Sequence, residues 1–167
     1  IVCDLYTTVI RGIPITVLLF IFFFVILVSA EGVIVAIIAF GINSGAYVAE
    51  NIRAGILSVD IGQTEAGRSL GLSSRITMMK IVIPQAIKNV IPAIGNELIA
   101  LIKETSIVTM IGMQDLTAAA KNVGAGNNLA SYFAPMVVAA IFYLAIVYAL
   151  TFAIKIIERR LRASDKR

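Results

Sequence analysis

Between Arg11 and Glu31 the chain runs for 19 residues without a charge, reading GIPITVLLFIFFFVILVSA. A helix needs about 20 apolar residues to cross a bilayer, so this window alone points to lipid. A second uncharged window, residues 32–49 (GVIVAIIAFGINSGAYVA), follows directly and is expected to continue as helix to about Arg53, whose long side chain can snorkel to the interface. Residues 81–102 are apolar apart from Lys88, Glu97 and several amides, and residues 129–154 contain no charge. Backbone in lipid must satisfy its own hydrogen bonds, and these windows lack the apolar–polar alternation of barrel strands, so helices remain. The expected fold is an all-α integral membrane protein with four transmembrane helices in this chain, over about 12–30, 32–53, 81–102 and 129–154. The loop 54–80 and the segment 103–128 would connect them on opposite sides, all within a single domain, 1–167.

Composition narrows the function. Charged residues make up 14% of the chain and hydrophobic ones 59%, against about 25% charged in a soluble domain. There is no His and only one cysteine, Cys3, so a zinc site, a Ser-His-Asp triad and an internal disulfide are beyond this chain alone. Neither a metal site nor an enzyme is expected. The net charge of +4 lies at positions flanking the apolar windows, without aromatic interleaving, which fits topology and not nucleic acid. Arg11, Arg53, Arg68, Arg75, Lys80, Lys155, Arg159, Arg160, Arg162, Lys166 and Arg167 fall on one side of a four-span arrangement, with only Lys103 and Lys121 on the other. The positive-inside rule then puts both ends and the loop 54–80 in the cytoplasm. Ile1 in place of Met, and a start without the basic-then-apolar order of a signal peptide, read as a piece of a longer chain.

The loop carries two helix signatures. Asp60 with Gln63 three residues on resembles a capping box, and Gly71 stands where a left-handed helix end favours glycine, giving a helix over Ile61 to Leu70. Ser73 or Ser74 can cap a second helix running through Arg75 and Lys80 towards Pro84. Ala66 and Gly67 would leave a patch of short side chains for another protein's backbone, with Glu65 and Arg68 at its rim. An amphipathic loop lying on lipid headgroups is the alternative.

Here the chain resembles the permease subunits of bacterial ABC importers. Their cytoplasmic loop reads E-A-A, three residues, G, nine residues, I, one residue, L-P. Glu65, Ala66, Gly67, Gly71, Ile81, Ile83 and Pro84 fall at those spacings, with Gly for the second Ala and Ile for Leu. The flanking IRGIP (10–14), NSGAYVAENIRAGI (43–56) and IPQAIKNVIPAIGNELIALIKETS (83–106) are similar to the polar amino-acid uptake subfamily. The resemblance implies five spans in the full-length subunit, a bacterial inner-membrane location, and a second permease copy or a homologous permease as partner. It also implies separate ABC ATPase subunits docked on this loop, carrying ATP and Mg, and an extracytoplasmic amino-acid-binding protein that delivers substrate. That division agrees with the lack of a G-x-x-x-x-G-K-[ST] phosphate loop, and no cofactor is expected in this chain. The resemblance makes Glu65, Ala66, Gly67, Arg68, Gly71 and Pro84 the ATPase-coupling residues, with Ile61 to Leu70 as the coupling helix. A bulky residue at Gly71 is expected to uncouple transport from hydrolysis.

Two polar strips are candidates for the translocation path. Asn43, Tyr47 and Glu50 recur at spacings of four and three on one helical face, with Ser44 beside it, and Gly41, Gly45 and Ala49 form a neighbouring small-residue stripe. Bonding between helices is the plain alternative for each. In the third span Gln85, Asn89, Pro92 and Asn96 follow helical spacing, and Glu97 and Glu104 mark an adjacent strip near Lys103. Ionisable groups inside a span are costly unless they face water, a partner or a substrate. Glu97 is therefore read as a pathway residue or as half of a structural ion pair, and Glu104 as a pathway residue or an interfacial anchor. Amides, Glu and Lys together can bind a zwitterionic amino acid, basic or glutamine-like. A self-sufficient channel or ion-coupled transporter, with these glutamates as ion or proton sites, is the competing class. The outer segment around Leu116 reads as a gate, a docking surface for the binding protein or a plain surface helix, and the basic tail as an anchor to membrane lipid.

Overall fold

The computed structural model describes residues 2–125 and 130–163. Gly126, Asn127 and Asn128 of the expected outer turn, Leu129 at the start of the fourth window, and Lys166 and Arg167 of the basic tail lie outside them. Helix α1 (Val2–Gly12) ends at Ile13–Pro14, and α2 (Ile15–Ile21) restarts at an angle of 102° to it and runs into a π-helical turn, Phe22–Ile26. Pro14 has no N–H and disfavours helix at the residue before it, which explains the break. The helical stretch from Ile15 to Ile26 is about 18 Å long, shorter than the window 12–30, because the chain leaves helix at Leu27, with φ −116°.

Helix α3 (Gly32–Leu57) carries the second window four residues past Arg53. The loop contains α4 (Ile61–Ser69) and α5 (Ser74–Thr77), and α5 passes without interruption through a π-helical turn, Met78–Val82, into α6 (Ile83–Glu104). A 3-10 turn (Thr105–Ile111), the short α7 (Leu116–Val123) and the long α8 (Ala130–Ala163) complete the described chain. Among the described residues α3 and α8 are long and apolar enough to cross a membrane, and α1 with α2 pass the same test only as a bent pair. Helix α6 has the length, about 33 Å, but its four charged residues set it apart.

Helix α6 is the hub, packed against α3 on one side and α8 on the other. Small residues set both crossings. A Cβ on Gly55 of α3 would overlap Val90 of α6, and one on Gly95 of α6 would stand 2.9 Å from three carbons of Ile154 in α8. Lipid supplies no hydrophobic drive between helices, so close backbone approach and van der Waals contact carry this association. The core lies towards the other end of α3, where Leu19 of α2 meets Val35, Ala36, Ala39 and Phe40, closed by Val108 and Ile111 of the 3-10 turn.

Gly55→Val places its Cβ against a β-branched side chain that cannot swing away. A stability loss of about 2 kcal/mol is expected, read as a lower melting temperature of the detergent-solubilised protein, with a markedly smaller loss for Gly41→Val, whose Cβ would meet open space.

Candidate coupling and translocation sites

Helix α4 forms as its caps dictate. Asp60 Oδ1 accepts the Gly62 N–H at 2.7 Å, and the helix ends in a Schellman turn. Leu72 N–H donates to Gly67 O at 3.2 Å and Gly71 N–H to Arg68 O at 3.0 Å, with Gly71 at φ +80°. Arg68 reinforces the turn by donating from its guanidinium to Leu72 O at 3.0 Å. Ser73, the first of the two candidate caps, accepts from Ile76 N–H at 3.3 Å and starts α5. Asp60 and Gln63 do not make a reciprocal capping box, because the Gln63 side chain is engaged elsewhere: its Oε1 accepts from Gln85 Nε2 at 3.2 Å.

One expectation is corrected here. Gly67 is buried and belongs to no outward patch. Its position faces α5 and the π turn, where a Cβ would stand 2.8 Å from Thr77 Cγ2 and 3.0 Å from Ile81 Cδ1. The outward surface of α4 instead has Glu65, Ala66 and Arg68 exposed between two apolar side chains, Ile61 (70% exposed) and Leu70 (80%). An exposed Ile and Leu bracketing a capped loop helix was the available signal for these two.

Pro84 stands in the first turn of α6, immediately after the π turn, in which Ile83 N–H reaches back five residues to Met78 O. The widened turn lets a residue without an N–H continue the helix, so α5 and α6 form one rod of about 46 Å from Ser74 to Glu104. Helix α6 likewise continues through Pro92.

The two polar strips do not converge on one site. Asn43 is buried, at 3% exposure, Ser44 is half-buried and Tyr47 is exposed. Glu50 is held by two arginines: Arg53 donates from both Nε and Nη2 to its carboxylate, and Arg11 Nη1 stands 3.6 Å from Oε2. The Arg11 guanidinium also lies over the Tyr47 ring, 5.4 Å from its centroid, and Tyr6 donates to Ile42 O at 2.7 Å above Gly45. Tyr47 and Glu50 thus fasten α1 to α3. Of the small-residue stripe, Gly45 serves the same contact by making room for the Tyr6 hydroxyl, while Gly41 faces open space.

On α6, Gln85 and Asn89 bind neighbouring elements. Asn89 Nδ2 donates to Ser58 Oγ at 2.9 Å, just beyond α3, and Ser58 Oγ donates in turn to Gly55 O at 2.8 Å. The far half of α6 has Asn96 exposed and Glu97 and Glu104 half-buried. Glu104 and Lys103 line an open cavity of about 350 Å³ with Ala100, Ser106 and Ile107. An adjoining cavity of about 400 Å³ reaches from Lys103 and Ser106 to Tyr143 and Leu144 of α8. The first is formed by residues 100–107 alone, whereas in the second Lys103 and Ser106 face Ala140, Tyr143, Leu144 and Val147 of α8. The outer segment is latched to α8, with Asp115 capping α7 through Thr117 N–H (3.1 Å) and Ala118 N–H (2.8 Å) and accepting from Tyr143 Oη at 3.3 Å.

The family model described as "Binding-protein-dependent transport system inner membrane component" matches residues 2–163. The chain belongs to this family. As a permease it is an inner-membrane component that works with ATPase and binding-protein partners. It is 40% identical over 168 residues to the arginine transport system permease protein ArtQ of Bacillus subtilis, covering 98% of this chain and 76% of the relative. It is 42% identical over 165 residues to the putative glutamine transport system permease protein GlnP of Rickettsia bellii, covering 96% and 75%. Among solved structures, an amino acid ABC transporter with histidines matches at a TM-score of 0.85 and 40% identity, over 94% of this permease and 74% of that chain. The MetNI methionine ABC transporter shares the fold, with a TM-score of 0.75 at 22% identity.

No atom lies within 4 Å of a Cβ built on Gly71, so bulk there meets nothing in this permease and the penalty is in the backbone. Gly71→Val is expected to destabilise the α4 turn by about 1–2 kcal/mol and Gly71→Asn by less, since Asn tolerates positive φ. Limited proteolysis across residues 68–74 ranks the two.

Proposed function

We propose that this permease imports a polar amino acid, basic or glutamine-like, driven by ATP hydrolysed on partner ABC ATPases and supplied by an extracytoplasmic amino-acid-binding protein. Relatives covering nearly the whole chain, named as arginine, glutamine and L-cystine transport permeases, support the substrate class. The observation that carries the mechanism is the α5–α6 rod, which begins under the exposed face of α4 and ends at the Glu104 cavity. Glu65, Ala66, Arg68, Ile61 and Leu70 form the ATPase-docking face, while Gly67, Gly71 and Pro84 shape the fold beneath it. ATP and Mg bind on the partner, and this chain itself is no enzyme.

Helices α3, α6 and α8 are its spans here, with the bent α1–α2 pair in place of the first window, and both ends and the loop 54–80 are cytoplasmic. A second copy or a homologous permease completes the pathway. Asn96, Glu97 and Glu104 face the substrate: carboxylates accept from an ammonium or guanidinium, and Lys103 and the amides donate to a carboxylate. Asn43 and Ser44 contribute from α3 towards the same far end as Glu104, whereas Glu50 and Tyr47 hold that helix against α1.

Reconstituted with its partners, the transporter is expected to take up arginine or glutamine only with ATP and binding protein present. Glu97→Gln is expected to lower uptake about tenfold or more, through loss of one charge-assisted bond. Uptake driven by an ion gradient without ATPase, or a preference for a sugar, would refute the proposal.

A further inference from the structure

The junction between loop and spans contains polar contacts that the docking face and the pathway do not use. Helix α4 touches the α5–α6 rod at two places. Gly67 sits against Thr77 and Ile81 with no room for a Cβ, and Gln63 Oε1 accepts from Gln85 Nε2 one α4 turn away. Gln85 Nε2 also donates to Ile81 O at 3.0 Å, which fixes its side chain along the rod. One turn further along α6, Asn89 donates to Ser58, in the connector between α3 and α4, beside the Gly55–Val90 crossing. The connector from Ser58 to Asp60 is short and non-helical, so by itself it would let α4 pivot relative to α3. The two exposed amide bonds restrain that freedom from opposite sides of the pivot.

We propose that Gln63–Gln85 and Ser58–Asn89 are coupling joints: they hold α4 and the end of α3 on the α5–α6 rod, so that displacement of α4 reaches the Asn96–Glu104 half of α6. Gln85 and Asn89 are positioning residues, acting through α4 and α3 and not on substrate. The inference rests on the ATP-driven reading above. Its physical basis is that a pivot with one unmade hydrogen bond absorbs part of any applied displacement as local motion, whereas a satisfied joint transmits it.

The test uses the transporter assembled with its ATPase and binding protein in proteoliposomes and reads substrate imported per ATP hydrolysed. Gln85→Leu and Asn89→Leu are each expected to lower that ratio about fivefold, the equilibrium worth of one net hydrogen bond, while hydrolysis continues. Gln63→Glu combined with Gln85→Lys is expected to restore the ratio by an ion pair. An unchanged ratio in the leucine variants, whether both rates hold or both fall together, would overturn the joints. Should those variants fail to assemble, a Gln63→Cys/Gln85→Cys pair in a Cys3→Ser background decides. The unbridged pair, which lacks the amide bond, is expected to show the lowered ratio, and bridging it with a short reducible thiol cross-linker to restore it; a ratio unchanged before and after bridging, or uptake lost on bridging and regained on reduction, would overturn the joint. If wild-type uptake needs no ATP, the importer reading itself fails; if wild type couples and the variants couple equally, only the joints are refuted.

Discussion

The arrangement depends on one continuous helix. From Ser74 to Glu104 the backbone never leaves helical geometry, although it passes Pro84, Pro92 and five charged residues before Glu104. At Pro84 the π turn at Met78–Val82 accommodates the missing N–H by moving the last hydrogen bond before it to a five-residue step, and Pro92 is passed within α-helix. With the helix unbroken, the surface offered by α4 and the polar end of α6 belong to one rod, about 46 Å long, and α3 and α8 clasp that rod where glycine lets backbones meet.

Local signals in the sequence reached as far as single elements. Asp60, Ser73 and Gly71 read correctly as two caps and a left-handed turn, because capping is decided within a few residues. The apolar windows likewise located α3 and α8. What the sequence did not carry was the choice among neighbours. Gly67 could face out or in on periodicity alone, and the tight contact with Thr77 turned it inward. Glu50 reads from spacing as a pathway carboxylate, and its ion pair with Arg11, 39 residues away in the chain, is a contact that spacing does not record. Gln85 and Asn89 lie on the same helical face as Asn96, and only tertiary contact separates the joint from the path. The apolar run 12–30 overstated its helix, since hydrophobicity does not record where the backbone turns at Leu27.

Charge is scarce in this chain, and its placement divides labour. Arg11, Glu50 and Arg53 bind helices together at the loop end, Glu65 and Arg68 stand exposed on α4, and Lys103 and Glu104 border the open cavities at the far end. An intramembrane charge is retained only where it has a partner or a task. The loop-end group has its partners within the chain, whereas the far-end group borders an open cavity.

The central claim is that α4 and α6 move as one body. The direct measurement is the distribution of distances between spin labels at Arg68 and Lys103, both exposed, in a Cys3→Ser background of the assembled transporter. The same narrow distance with and without ATP bound to the partner subunits is predicted. A distance that shifts or broadens between the two states would show that α4 pivots on the rod and would contradict the account.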